Sequence, residues 1–291
     1  MKTLAKIAPA LFVLLWSTGF VGSKLGAPYI EPMVFLTLRF AAVLVLLGPL
    51  ALLLAKSWPA RRLEIGHCIV VGMLVHGIYL GGVFWAIKQG MPAGTSAIIV
   101  GLQPVLTAVT AVALLDETVS RKHWLSMAVG ASGLALVLAP RFDLSGTGIT
   151  PATIAAVLLA VFAISLGTVY QKRFAQGLDL LSSAVWQYVG ALIVTAPLSF
   201  LESWRIEWSG ELVFALAWLV LVLSVGAILL LMLLIREGAV SRVASLFYLV
   251  PVATTVESYF LFGETLSVGQ IAGMALVVGA VLAIRGRQHK A

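Results

Sequence analysis

The residues of this chain best equipped for chemistry are few and are set far apart in apolar sequence: Trp16, Lys24, Arg39, His76, Tyr79, Gln103, Tyr248 and Glu257. An ionisable side chain in hydrocarbon costs about 2.5–3.5 kcal/mol on insertion scales, so each must face a cavity or a partner. Glu257 is the sharpest of them. It is expected either to exchange a proton or pair with a solute cation, or to hold a fixed ion pair with Arg39 or Lys24, which lie at similar depth. His76 has Tyr79 three residues on, placing a polar stripe on one helix face. An unperturbed imidazole titrates near neutral pH, which suits a proton or solute contact. The competing reading is a structural histidine bonded to a neighbouring helix.

Gln103 and Tyr248 offer uncharged hydrogen-bonding groups beside two prolines, Pro104 and Pro251, expected near mid-span. A proline there removes a backbone bond and frees a carbonyl. Matching interruptions favour a midplane site, with packing kinks as the alternative. Trp16 lies too deep for the interfacial belt that suits Trp58, Trp204 and Trp208, and lines a cavity or packs. Lys24 either meets solute or snorkels to the outer interface. Arg39, near a helix end, reads as a structural anchor. The glycines at 19, 22 and 26 follow helical spacing and let a neighbour approach closely, as do Gly269 and Gly273.

Spacing argues against other chemistries. His67, His76, His123 and Cys68 lack metal-ligand spacing, and no cofactor motif is present. Gly19 to Leu25 imitates a phosphate loop without its Gly-Lys-Ser/Thr ending. No Ser-His, Asp-Asp or His-Glu arrangement supplies a nucleophile and base, which disfavours an intramembrane enzyme, and no soluble output domain supports a sensor. Glu117 and Glu264 look like paired acids, yet each stands just before a serine at a span end. Ser267 with Gln270 fits a capping box, so these are read as boundary chemistry.

The elements that position these residues must lie in a membrane. Of 291 residues, 61% are hydrophobic and 27 are glycine, while 11% are charged; soluble domains average about 45–50% apolar. At roughly 20 apolar residues per crossing there is room for about ten spans. They are expected near 7–27, 33–55, 65–87, 93–115, 123–140, 151–171, 180–201, 212–235, 241–262 and 268–285. The first is read as an uncleaved span, not a signal peptide, because no small-residue cleavage site follows it. The net charge of +7 is scattered between apolar runs, so it argues for no nucleic-acid partner. With both termini cytoplasmic, 14 of the 19 Lys and Arg residues fall inside and Lys88, Arg141 and Arg205 outside, leaving Lys24 and Arg39 within spans. That asymmetry is the positive-inside signature.

The chain also repeats. Residues 97–128 align without gaps on 244–275, with twelve identities that include Pro104 with Pro251, Glu117-Thr118 with Glu264-Thr265, and Met127-Ala128 with Met274-Ala275. Ile87 to Gly90 resembles Ile235 to Gly238 at an offset of 148. Two halves of five spans each enter the bilayer from opposite sides, the architecture of alternating access. The fold expected is therefore all-α and polytopic, ten transmembrane helices in two inverted repeats, 1–142 and 149–286, with 287–291 as a cytoplasmic tail.

Trp16 to Phe20 followed by Lys24, Arg39-Phe40, Gln103-Pro104 through Glu117, and Leu249 to Glu264 together resemble the drug/metabolite transporter superfamily, specifically its ten-span family with two EamA domains. The resemblance covers nearly the whole chain. The second half lacks a clear Trp and Lys counterpart around Ala163 to Lys172. The resemblance implies a secondary exporter of a small organic metabolite, such as an amino acid, in a bacterial inner membrane. A proton-coupled cationic-drug antiporter is the alternative. The expected partners are a small solute and the lipid bilayer, with proton coupling carried by Glu257 under the alternative. The sequence specifies no oligomeric state.

Overall fold

The computed structural model of the chain describes residues 2–91, 96, 99–138, 148–238, 240–262 and 267–285, apart from some side chains among them. Helices account for nearly all of it, and no strand occurs among the described residues. The helices are α1 (Lys2–Gly26), α2 (Pro32–Leu54), α3 (Arg62–Lys88), α4 (Gln103–Leu115), α5 (Arg121–Leu138), α6 (Pro151–Phe174), α7 (Leu180–Ser199) and α8 (Gly210–Glu237). Two more complete the order: α9, built from Val240–Ser245, a 3-10 turn at Leu246–Tyr248 and Leu249–Phe262, and α10 (Val268–Arg285). Five of them, α2, α3, α6, α7 and α8, are long and apolar enough to cross a membrane.

Local chemistry explains where they start. Pro32 and Pro151 stand in the first turn of their helices, where a missing N–H costs nothing. Thr150, Asp179 and Ser209 cap α6, α7 and α8 with side-chain oxygens. The box expected at the start of α10 is present. Ser267 N–H donates to Gln270 Oε1 at 3.0 Å, and Gln270 N–H to Ser267 Oγ at 3.2 Å.

Two pairs of helices depart from regular geometry at matching places. Residues Met73–Ile78 of α3 and Leu219–Ala227 of α8 are π-helical, and the offset of 148 carries the first stretch into the second. Residues 101–102 form a turn before α4 begins at Gln103. In α9 the 3-10 turn at Leu246–Tyr248 reaches the corresponding place, since the offset of 147 that aligns the prolines carries residue 101 onto Tyr248. Pro104 stands in the first turn of α4, just after that turn, and Pro251 follows closely on the 3-10 turn within α9.

One apolar core runs through both halves, from Phe12 and Trp16 through Phe40, Tyr79 and Tyr188 to Phe247 and Tyr248. Close approach depends on glycine at the α3–α7 crossing. A Cβ on Gly72 would lie 1.8 Å from the Gln187 carbonyl oxygen, and one on Gly190 2.1 Å from that of Ile69. The glycines of α1 face α8, with Leu223 against Gly19 and Leu219 against Gly22.

Candidate functional site

A buried polar cluster forms where α2 and α3 of the first half meet α7 and α8 of the second. Arg39, 4% exposed, donates from Nε to Ser224 Oγ at 2.9 Å. Its guanidinium carbon lies 5.7 Å from the Phe40 ring centroid. Tyr188 donates its hydroxyl proton to the Ser224 carbonyl. The His76 ring stacks on Tyr188, with centroids 4.8 Å apart and planes 13° from parallel, and Phe40 closes the group at 5.8 Å from Tyr188. The π segments make this possible, since they carry both His76 and Ser224. The offset of 148 that relates the halves also relates His76 to Ser224, so the cluster is assembled from repeat-related positions.

Arg39 has no carboxylate within salt-bridge distance among the described residues, where the one ion pair is Lys88 with Glu31 at 3.3 Å. Among the described residues its charge meets the Ser224 hydroxyl and the Phe40 ring, which offset part of the desolvation cost. Glu257 sits elsewhere, between α1 and α9. Its Oε1 lies 2.5 Å from Ser17 Oγ, and its Oε2 is buried without a hydrogen-bond partner among the described residues. Arg39 and Glu257 thus contact different helices, Arg39 through Ser224 of α8 and Glu257 through Ser17 of α1. Lys24 lies on α1, and its side chain is outside the described residues.

Trp16 packs against Phe12 at 5.1 Å and edge-on against Phe247 at 5.3 Å. Tyr79 is buried in the same core and close enough to Trp16 for a polar side-chain interaction. Gln103 is buried with both amide atoms unpartnered, and Thr107, one turn on, has an unpartnered hydroxyl. The Tyr248 hydroxyl is likewise unpartnered. On α7, one turn separates Ser183 from Gln187, and each leaves a buried polar atom unbonded. Native interiors rarely leave such atoms unsatisfied, which singles these groups out among the described residues.

A cavity of about 540 Å³ opens elsewhere, at the N-terminal end of α2. Glu31, Lys88, Trp85, Leu198 and Glu202 are among its walls. None of the sequence-predicted site residues lines it. The Glu202 carboxylate accepts the N–H groups of Met33 at 2.8 Å and Val34 at 3.0 Å, anchoring the start of α2. Burial pushes the Glu202 carboxyl above its ordinary value, and the two backbone donors oppose that rise.

Sequence reasoning passed over Ser17, Tyr188 and Ser224. Ser224 was within reach, because the offset that relates Ile87 to Ile235 pairs it with His76. Ser17 and Tyr188 carry no such signal, since a serine or tyrosine in an apolar run is ordinary.

A two-part helical chain with apolar helices, matched breaks in both halves and a buried polar cluster between them defines an integral membrane protein of the transporter class. The EamA-like transporter family matches residues 5–139 and 151–286, and the chain belongs to that family. It is 27% identical over 286 residues to the uncharacterized transporter YvbV of Bacillus subtilis, covering 96% of this chain and 91% of that one. It is 26% identical to a probable amino-acid metabolite efflux pump of Salmonella typhimurium over 285 residues, 93% of this chain and 91% of the relative. A solved crystal structure superimposes with a TM-score of 0.79 at 20% identity, covering 99% of each chain, which establishes a shared fold.

Proposed function

We propose that the protein is a secondary exporter of small organic metabolites such as amino acids, working by alternating access in a bacterial inner membrane. Ten spans form two inverted five-helix repeats, 1–142 and 149–286, with both termini and the 287–291 tail cytoplasmic. The observation that carries this reading is the matched irregularity of the halves: π segments in α3 and α8, and a turn before α4 with a 3-10 turn within α9. Irregular backbone at membrane depth is tolerated where protein buries it or where it lines a cavity. Its recurrence in both repeats supports a central path. The buried unpartnered groups of Gln103, Thr107, Gln187 and Tyr248 supply the polar lining. Trp16, His76 and Tyr79 shape it. The efflux relative supports the substrate class and the direction.

The test is flux in proteoliposomes against a panel of amino acids and related metabolites, with the solute loaded on one side at a time. Saturable flux of at least one member, abolished by a bulky substitution at Gln103, is expected. Absence of flux across the panel, or flux indifferent to that substitution, overturns the reading. Orientation is checked with single cysteines at positions 145 and 289 in a Cys68→Ala background. Position 145 should label from outside and 289 from the cytoplasm; the opposite pattern at either site rules out the ten-span topology.

A further inference from the structure

We infer that Glu257 is a proton-binding site, carrying its proton in the conformation observed and releasing it during transport; this rests on the transport reading above. The argument begins with one hydroxyl. Ser17 Oγ lies 2.8 Å from the Leu14 carbonyl oxygen and 2.5 Å from Glu257 Oε1. A serine hydroxyl has a single proton, while a carbonyl and an ionised carboxylate only accept. With Glu257 ionised, the hydroxyl serves one of two acceptors and leaves two oxygens facing each other without a proton. With Glu257 protonated, Oε1–H donates to Ser17 Oγ and the serine proton goes to Leu14. Both contacts are then satisfied.

The remaining oxygen points the same way. Oε2 is buried and has no hydrogen-bond partner among the described residues, which an anion in hydrocarbon tolerates poorly and a neutral acid tolerates well. The segment bearing Glu257 packs on α1, α5 and α10. From α1 the facing group is Ser17, and Lys24 lies seven residues further along, its side chain outside the described residues. The charged and titratable residues of α5 are Arg121, Lys122 and His123 at its start, and His123 meets Ser245 at 3.2 Å, twelve residues before Glu257. On α10 the nearest polar side chain in sequence is Gln270, engaged with Ser267, and its charged residue, Arg285, is at the far end.

The same geometry supplies an ionised form. When the proton leaves Oε1 for water on the open side, the Ser17 hydroxyl rotates from Leu14 toward the carboxylate. Oε2 is then an unpaired anion, ready for an incoming proton or for the ammonium group of a solute. Proton and solute amine compete for one carboxylate between α1 and α9, the condition for exchanging one for the other. The solute class implied is amine-bearing.

Two measurements on purified full-length protein test this. Infrared difference spectra of wild type against Glu257→Gln, at near-neutral pH and without solute, should show a protonated carboxylic acid present only in wild type. Lys24→Gln should leave that acid in place. In proteoliposomes, an imposed pH gradient should accelerate uptake of an amine-bearing solute by wild type, and Glu257→Gln, monodisperse on size exclusion, should lose that acceleration together with its affinity for the amine-bearing solute. Its amide keeps a donor for Ser17 and mimics the neutral acid, so it is expected to fold. An ionised Glu257 in wild type, or an acid signal that arises only in Lys24→Gln, indicates a fixed charge and overturns the proposal. Full gradient-driven uptake by Glu257→Gln does so as well. A panel without any flux defeats the transport reading, while the infrared arm still decides whether Glu257 holds a proton.

Discussion

Ser224 serves two partners at once, its hydroxyl taking the Arg39 Nε proton and its carbonyl the Tyr188 hydroxyl. Ser224→Ala removes the first bond and strands a buried cation. A lost hydrogen bond to a charged group costs about 1.5–3 kcal/mol, so thermal unfolding in detergent should shift down clearly. Ser132→Ala, on an exposed position whose hydroxyl bonds only its own helix, should leave unfolding unchanged. Equal stability of the two variants would show that Arg39 does not depend on Ser224. Glu202 provides a pH test. Burial first, then Glu31, raise its carboxyl above the ordinary 4.5, against the pull of the Val34 and Met33 N–H groups and Lys88. The folded state therefore holds this proton more tightly than the unfolded chain does. Its contribution is fully present below the ordinary value and is lost as pH rises through the raised one. Melting curves through the weakly acidic range should show stability falling with rising pH, and Glu202→Gln should flatten that step. A wild-type slope of opposite sign in that window contradicts the assignment.

At the scale of elements, the α3–α7 crossing is set by two glycines. Gly72→Ala and Gly190→Ala place a methyl group against backbone carbonyls at 1.8 and 2.1 Å, where no side chain can rotate away. Each should cost about 3 kcal/mol or more and abolish a monodisperse peak on size exclusion. Gly48→Ala, with nothing within 4 Å of the added atom, should be neutral or stabilising by about 0.5–1 kcal/mol. The presence and rough extent of the helices could be read from apolar run length and from punctuation such as Pro32, Asp179 and Ser209. The π segments could not. Met73–Ile78 is an apolar stretch with one histidine, packed against α6 and α7, and nothing in its composition marks it as different from the helix around it. The prolines marked the irregular places in α4 and α9 but not their form, because a proline reads alike in the first turn of a helix, as at Pro104, and beside a 3-10 turn within one, as at Pro251. Partnerships were the least legible. Depth along a helix follows from counting residues, but azimuth depends on how helices cross, and azimuth separates Arg39 from Glu257.

Across the whole molecule, the residues that looked like boundary chemistry also link the halves. Glu117 follows α4 in the first half, yet its Oε1 accepts the Val240 N–H at 2.9 Å and its Oε2 the Ser241 hydroxyl at 2.9 Å, both at the start of α9 in the second. The repeat mate, Glu264, falls outside the described residues. A carboxylate at a helix N-terminus satisfies unbonded N–H groups and complements the positive end of the helix dipole, together worth about 0.5–2 kcal/mol. Under the orientation proposed above, this clasp lies on the cytoplasmic side, where it holds the two halves together. If the halves rock, releasing it should favour the inward-open form. A reporter cysteine at Ser245, which is 1% exposed and bonded to His123 and Ser241, should then label faster with an impermeant maleimide applied from the cytoplasm in a Cys68→Ala, Glu117→Gln background than with Glu117 intact. The same variant should melt slightly lower. Lower stability with unchanged labelling would make Glu117 a cap alone, and a change in neither would remove it from both roles. Faster labelling makes the first half's acid one of the contacts that must open for solute to enter.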